Sequence, residues 1–166
     1  SHVDNSIYKP NIFIKTNVLG TSNILENALY YWNKKEEILN NTFFYISTDE
    51  VFGSLDLKSK SKFKSSSLIK PNSPYSASKA AGELIVRSFN KTYGLQTIIT
   101  NTSNNFGPGQ HIEKLIPKAI FALIENKKIP IYGNGKNKRD WIFVRDNVET
   151  IFKILRSPKR NVRFLI

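Results

Sequence analysis

Strand-like and helix-like segments alternate along these 166 residues, which predicts an α/β fold on a mainly parallel sheet. Two short runs rich in β-branched and aromatic residues, "NTFFYIST" (41–48) and "LQTIITNTSN" (95–104), read as strands buried on both faces. Between them, "PYSASKAAGELIVRSFNKTYG" (74–94) opens on a proline and closes on a glycine, the start and stop signals of a long helix. Strand, helix and strand in that order make a parallel crossover unit.

The other elements follow from the same periodicities. Residues 11–33 place apolar side chains at 14, 18, 25, 29 and 32, which is helical spacing. "EKLIPKAIFALIEN" (113–126) is helical, with Pro117 confined to its first turn or kinking it. "KIPIYG" (128–133) and "RDWIFVRD" (139–146) read as short strands about the turn "GNGKNK". "RDNVETIFKILRS" (145–157) is an amphipathic helix, and "VRFLI" (162–166) begins a strand.

Composition narrows the function classes. The chain has no cysteine, which removes disulfides and thiolate metal sites and suits a reducing, cytoplasmic setting. No apolar run approaches membrane-spanning length, and "SHVDNSIYKP" lacks the charged and apolar regions of a secretory leader. The net charge of +12 raises the question of nucleic acid. The lysines are scattered, however, and the densest patch, "LKSKSKFKSSSLIK" (57–70), alternates with serine as a solvated loop does. Aromatics interleaved with arginines on a sheet are lacking, so no nucleic-acid partner is expected. The two histidines are far apart in sequence, and no metal site is expected from them.

Ligands of parallel sheets sit beyond the carboxyl ends of the strands, where this chain has "STDE" (47–50) and "NTSNNFGP" (101–108). One loop beyond "STDE", Tyr75 and Lys79 stand four apart on a helix and share a face. An ammonium group near a phenol favours the phenolate, giving a placed proton acceptor for an alcohol that loses hydride. The competing reading is a solvent-facing pair. For the adjacent acids Asp49 and Glu50 it is a turn cap after a strand.

"ISTDEVFG", "SPYSASKAAGE", "TNTSNNFGP", "EKLIP", "IPIYGNGKNKRDWIFV" and the opening "SHVDNS" together resemble the nucleotide-sugar 4,6-dehydratases of the extended short-chain dehydrogenase/reductase family. The likeness runs from Ser1 to about Asn147 and is strongest toward members acting on dTDP-glucose. UDP-sugar dehydration, or an epimerase or decarboxylase of the same fold, is the alternative. The resemblance implies a Rossmann-type parallel sheet with flanking helices, NAD as cofactor, a nucleotide-diphosphate sugar as substrate, and a homodimer packed through the helices near 12–32 and 75–92. Related epimerases carry small or hydroxyl residues in place of Asp49 and Glu50. A dehydratase additionally needs a base for the C–H beside a new ketone and an acid for the departing hydroxyl.

By resemblance, then, Asp49 is the acid, Glu50 the base, Tyr75 the proton acceptor at the oxidised hydroxyl, and Thr48 its hydrogen-bonding neighbour. Lys79 also holds the nicotinamide ribose, with Thr16 and Asn105 as further cofactor contacts. Ser1, Thr48, Asn104, Lys114, Leu115, Pro130, Ile131, Tyr132 and Arg139 align with substrate contacts. A guanidinium at 139 suits phosphate oxygens, which it can clamp in a fixed fork; a surface salt bridge to Asp140 is the plainer alternative. The chain contains no G-x-x-G-x-x-G turn and no acidic residue placed for an adenosine ribose. It is therefore expected to be a partial sheet lacking the first strands and the C-terminal end. Residues 1–108 are expected to belong to the dinucleotide-binding domain, and 109–166 to begin the sugar-nucleotide region interleaved with the last Rossmann elements. Alone, the chain is expected to be inactive.

Overall fold

The computed structural model describes residues 3–56, 58, 60–129, 131 and 133–166. They fall into two compact units, one of residues up to 102 together with 157–166, the other of residues 103–156.

The first unit contains the sheet. Strand β1 (Phe43–Thr48), strand β2 (Thr97–Thr102) and a strand at Val162–Leu165 lie in the order β1, β2, Val162–Leu165. Both pairings are parallel, with Ser47 opposite Asn101 and Thr48 opposite Thr102. All six residues of β2 are buried, as its run of β-branched side chains requires. Helix α1 (Val3–Tyr8) and helix α2 (Pro10–Ile14) precede a π-helical turn at Lys15–Leu19, which leads into helix α3 (Gly20–Lys34). The single helix expected over 11–33 thus contains a π turn, a local widening often found beside functional groups. Of its expected core positions, Leu25 is fully buried, Trp32 packs on the core edge and Ile14 remains exposed.

Helix α4 (Pro74–Tyr93) crosses from β1 to β2. Its start is a reciprocal cap: the Ser73 hydroxyl accepts from the Ser76 amide, and the Ser76 hydroxyl accepts from the Ser73 amide. Pro74 fills the first turn, where its missing N–H costs nothing. Gly94 ends the helix at φ 72°, and its amide caps the Asn90 carbonyl. Leu25 of α3, Tyr45 of β1, Val86 of α4, Ile99 of β2 and Leu95, two residues before that strand, form the main core. A second cluster, Val51, Phe52 and Ala80, is covered by Phe63 and Ile69. The described part of the basic 57–70 loop is therefore tied to the core by two apolar side chains while its described lysines stay exposed.

Gly82 permits the close contact between α4 and β1. A methyl group there would lie 2.1 Å from the Tyr45 hydroxyl and 3.0 Å from the Asn17 carbonyl. Alanine gains about 1 kcal/mol over glycine in a helix, whereas forcing a carbon into a filled core costs about 1–3 kcal/mol. Because the nearest atoms belong to a buried ring and to backbone, the clash outweighs the propensity. Gly82→Ala is expected to lower stability by about 1–2 kcal/mol, measured as a lower midpoint in urea unfolding. An unchanged or raised midpoint would show that Tyr45 can move aside.

The second unit pairs strand β3 (Asn104–Phe106) with strand β4 (Trp141–Phe143) in parallel, and holds helix α5 (Leu115–Ile124) and helix α6 (Val144–Arg156). Pro117 sits in the first turn of α5, the position where a proline does not break a helix. The strand expected over 128–133 is not formed at its described residues: 128, 129 and 131 are irregular, and Gly133 lies in a turn. The proline in that sequence lacks an N–H for a ladder, and Ile131 is 72% exposed with no face to pack. The expected strand over 95–104 divides at Ser103 into β2 and β3. The strand Val162–Leu165 is β5.

Candidate active site

At the carboxyl end of β1, Thr48 is still extended (φ −139°, ψ 151°), and Asp49–Phe52 turn at once into a short 3₁₀ helix. The Thr48 hydroxyl accepts from the Glu50 amide at 3.3 Å and lies 3.2 Å from Asp49 Oδ1, to which it donates. The cap is therefore the threonine. Asp49 and Glu50 follow it in the first turn, half-buried, with their carboxylates not serving as the cap. Val51 and Phe52, both buried, pull the turn down onto the core and leave the acid pair at the strand end.

Tyr75 stands in the first turn of α4, and the Phe13 ring meets it edge-on with centroids 6.1 Å apart. Burial pushes its phenol up to about 12, and the neighbouring charge of Glu50, then Tyr45 and Asp49, push in the same direction. The turn that carries the acid pair packs on α4 through Val51, Phe52 and Ala80, and both carboxylates act electrostatically on the phenol.

The expectation that Lys79 lowers the Tyr75 pKa is not met. Lys79 Nζ donates to the Ile46 carbonyl at 2.6 Å and stands 4.3 Å from the centre of the Tyr45 ring. The ammonium is thus directed at β1 and Tyr45, and it is not among the influences on Tyr75. Burial lowers its own pKa, while the negative charge of Glu83 acts to raise it.

Thr16 is exposed within the π turn. Its neighbour Asn17 donates from Nδ2 to Ser78 Oγ at 2.9 Å, joining that turn to the face of α4 beside Lys79. In the second unit, Asn104 and Asn105 lie on β3, the Asn104 amide donating to the Asp140 carbonyl at 3.3 Å. Asn105 Nδ2 donates to the Ser103 carbonyl, whereas its Oδ1 is buried without a hydrogen-bond partner among the described residues. Lys114 precedes α5 and pairs with Glu113 at 3.7 Å, and Leu115 begins that helix half-exposed. Ile131 and Arg139 are exposed, and Arg139 Nη1 donates to the Lys138 carbonyl. Ser1, Pro130 and Tyr132 lie outside the described residues.

Sequence reasoning passed over Glu83 and Asn101, both wholly buried under the strand end. An acidic residue four places after Lys79, on an otherwise inward-facing helix surface, was the available signal.

The whole chain matches the GDP-mannose 4,6 dehydratase family, over residues 1–165. It belongs to that family. Among its relatives, a dTDP-glucose 4,6-dehydratase of Haemophilus influenzae is 48% identical over 157 residues, covering 93% of this chain and 46% of the relative. A crystal structure of DesIV, the dTDP-glucose 4,6-dehydratase of Streptomyces venezuelae, with NAD and TYD bound, is similar over 100% of this chain and 48% of its own, at 38% identity and a TM-score of 0.90. The UDP-glucuronic acid 4-epimerase of Bacillus cereus has a TM-score of 0.79 at 22% identity, over 92% of this chain and 45% of its own, a likeness of fold alone. This 4,6-dehydratase family member thus has the Rossmann-type parallel sheet of the extended short-chain dehydrogenases, and it spans about half the length of the curated relatives it matches. Among its described residues, no helix is long and apolar enough to cross a membrane.

Proposed function

We propose that this chain is part of an NAD-dependent dTDP-glucose 4,6-dehydratase, a hydro-lyase that forms dTDP-4-keto-6-deoxyglucose on the way to dTDP-rhamnose. The observation that supports the reading is the packing of the Asp49–Phe52 turn at the end of β1 on helix α4, which carries Tyr75 in its first turn. An alcohol oxidation alone needs only the phenol; two carboxylates beside it suit removal of water across adjacent carbons.

Tyr75 accepts the proton of the sugar C4 hydroxyl as the phenolate, which the positive charge of a bound oxidised nicotinamide would favour against its raised pKa, with Thr48 holding the same oxygen. Bound NAD would supply a reversible hydride acceptor for the hydride lost at C4 and regained at C6. The C4 ketone acidifies C5–H, and Glu50 removes that proton and returns one to C5 as C6 is reduced. Asp49 protonates the C6 hydroxyl as it leaves, so water is lost and NAD is not consumed. Lys79, Thr16 and Asn105 hold the cofactor, and the orphaned Asn105 Oδ1 is an acceptor that such a ligand would satisfy. Ser1, Asn104, Lys114, Leu115, Pro130, Ile131, Tyr132 and Arg139 hold the nucleotide sugar. Residues 1–108 belong to the dinucleotide domain and 109–166 begin the sugar-nucleotide region. The exposed apolar side chains of α3 and α4, among them Tyr30, Tyr31, Leu84 and Tyr93, support a homodimer through these helices in a cytoplasmic enzyme.

The test is an assay of the full-length protein with dTDP-glucose and with UDP-glucose, following the ultraviolet absorbance of the 4-keto product in alkali. Product from dTDP-glucose alone is expected; product from UDP-glucose alone reassigns the base, and none from either overturns the reading. The isolated chain, lacking a glycine-rich pyrophosphate turn, is expected to show no turnover and no micromolar affinity in calorimetric titration with NAD⁺. Micromolar binding would remove that expectation.

A further inference from the structure

Glu83 is the one acidic side chain among the described residues with no exposure, and nothing in the proposed reaction uses it. It lies one helical turn beyond Lys79 and two beyond Tyr75 on α4. One carboxylate oxygen accepts from Asn101 Nδ2 at 2.6 Å; the other accepts from Arg163 Nη2 at 2.8 Å. The same Asn101 nitrogen also donates to the Thr48 carbonyl at 3.0 Å. Both of its partners are acceptors, so the amide can face them only through its NH₂, and Asn101 Oδ1 is left buried without a partner among the described residues. The amide is thus a two-armed donor fixed from below by a carboxylate. Arg163, whose guanidinium also lies 5.7 Å from the Phe52 ring centre, brings β5 and the 3₁₀ turn into the same network.

We propose that Glu83 is the positioning residue of this site: through Asn101 it fixes the Thr48 carbonyl, where the acid pair begins. Two geometric facts carry this. A neutral apolar side chain would fill the same space without needing an arginine, so packing alone does not call for a buried carboxylate. And the network ends on the backbone of Thr48, the residue whose hydroxyl caps the Asp49–Glu50 turn. Arg163 from β5 and Asn101 from β2 contact Glu83, and its charge also acts on Tyr45 of β1 and on Lys79 of its own helix.

The inference rests on the dehydratase reading, and three variants separate the two. Glu83→Asp keeps the charge, Glu83→Gln removes it, and Glu83→Gln combined with Arg163→Met also removes the cation left without a partner. In the full-length protein, Glu83→Gln is expected to lower kcat for dTDP-glucose about tenfold or more with KM within twofold, and Glu83→Asp to retain most of it. The double variant is expected to regain the parent's thermal midpoint but not its kcat. Recovery of both would make Glu83 a purely structural partner of Arg163 and overturn the proposal. A second readout needs no turnover: in the full-length protein, exchange of the Glu50 amide hydrogen, which the Thr48 hydroxyl accepts, is followed by NMR. It is expected to be faster in Glu83→Gln and in the double variant, and to be retained in Glu83→Asp. Unchanged exchange in Glu83→Gln and the double variant overturns the proposal, whereas a parent protein inactive on either nucleotide sugar overturns only the dehydratase reading.

Discussion

Glu50→Gln in the full-length protein is expected to lower turnover of dTDP-glucose by a factor of about 10² to 10⁴, the usual contribution of a placed general base. Glutamine has nearly the same shape and can still accept hydrogen bonds, so what is lost is the ability to take a proton from carbon. The first oxidation depends on Tyr75, which the substitution leaves in place. Removing the larger of the two carboxylate influences on Tyr75 also eases formation of the phenolate, since Glu50 acts to raise its pKa. The two halves of the reaction therefore separate: deuterium from solvent no longer enters at C5, while a single-turnover experiment still registers hydride leaving C4. C5 exchange at the parent rate would remove Glu50 from the role of base. Loss of both halves would assign it to binding or to support of the turn.

Alkaline pH is expected to destabilise the chain through two buried phenols. Burial raises both Tyr45 and Tyr75 from 10.0 to about 12, Glu83 adding to the effect at Tyr45 and Glu50 at Tyr75, while a hydrogen bond with Thr21 works against it at Tyr45. The native state holds these protons more tightly than the unfolded chain, so their contribution is complete below pH 10 and lost as pH rises through about 12. Each displacement corresponds to roughly 3 kcal/mol, and two such terms are of the order of a small domain's whole stability. Lys79 acts in the opposite sense: its lowered pKa adds stability as pH climbs toward 10.5, which delays the loss. Urea unfolding between pH 8 and 12 is expected to show little decline to about pH 10 and a steep one beyond it, shallower in Tyr75→Phe. An identical decline in Tyr75→Phe would mean that its phenol is as accessible folded as unfolded.

Elements governed by local chemistry were legible in the sequence. Pro74 and Gly94 delimited α4 correctly because a fixed φ and a left-handed φ are intrinsic to those residues. β1 and β2 were legible because doubly buried strands are apolar or β-branched throughout. The 128–133 run was misread for the opposite reason: "KIPIYG" has strand composition, yet strand propensity takes effect only where a neighbour offers a ladder. The π turn at Lys15–Leu19 has no counterpart in apolar spacing, since one extra residue in a turn barely alters a pattern read over three helical turns.

The site divides along the same line. Tyr75 and Lys79 share a helix face by spacing alone, and Asp49 and Glu50 stand together because they are adjacent. Which way Lys79 points did not follow from spacing. Its chain is long enough to reach either the phenol of Tyr75 or the edge of β1, and the Ile46 carbonyl and the Tyr45 ring hold it at the strand.

The sequence by itself determined the alternation of strand and helix, the acid pair at a strand end and the helix face shared by Tyr75 and Lys79, because each depends on neighbours within a turn or a strand length. Only the tertiary structure decided that the acid pair acts on Tyr75, that Lys79 turns to Tyr45, and that Glu83, Asn101 and Arg163 join beneath Thr48. Those contacts span up to 80 residues of chain, and burial and charge interact through space rather than along it.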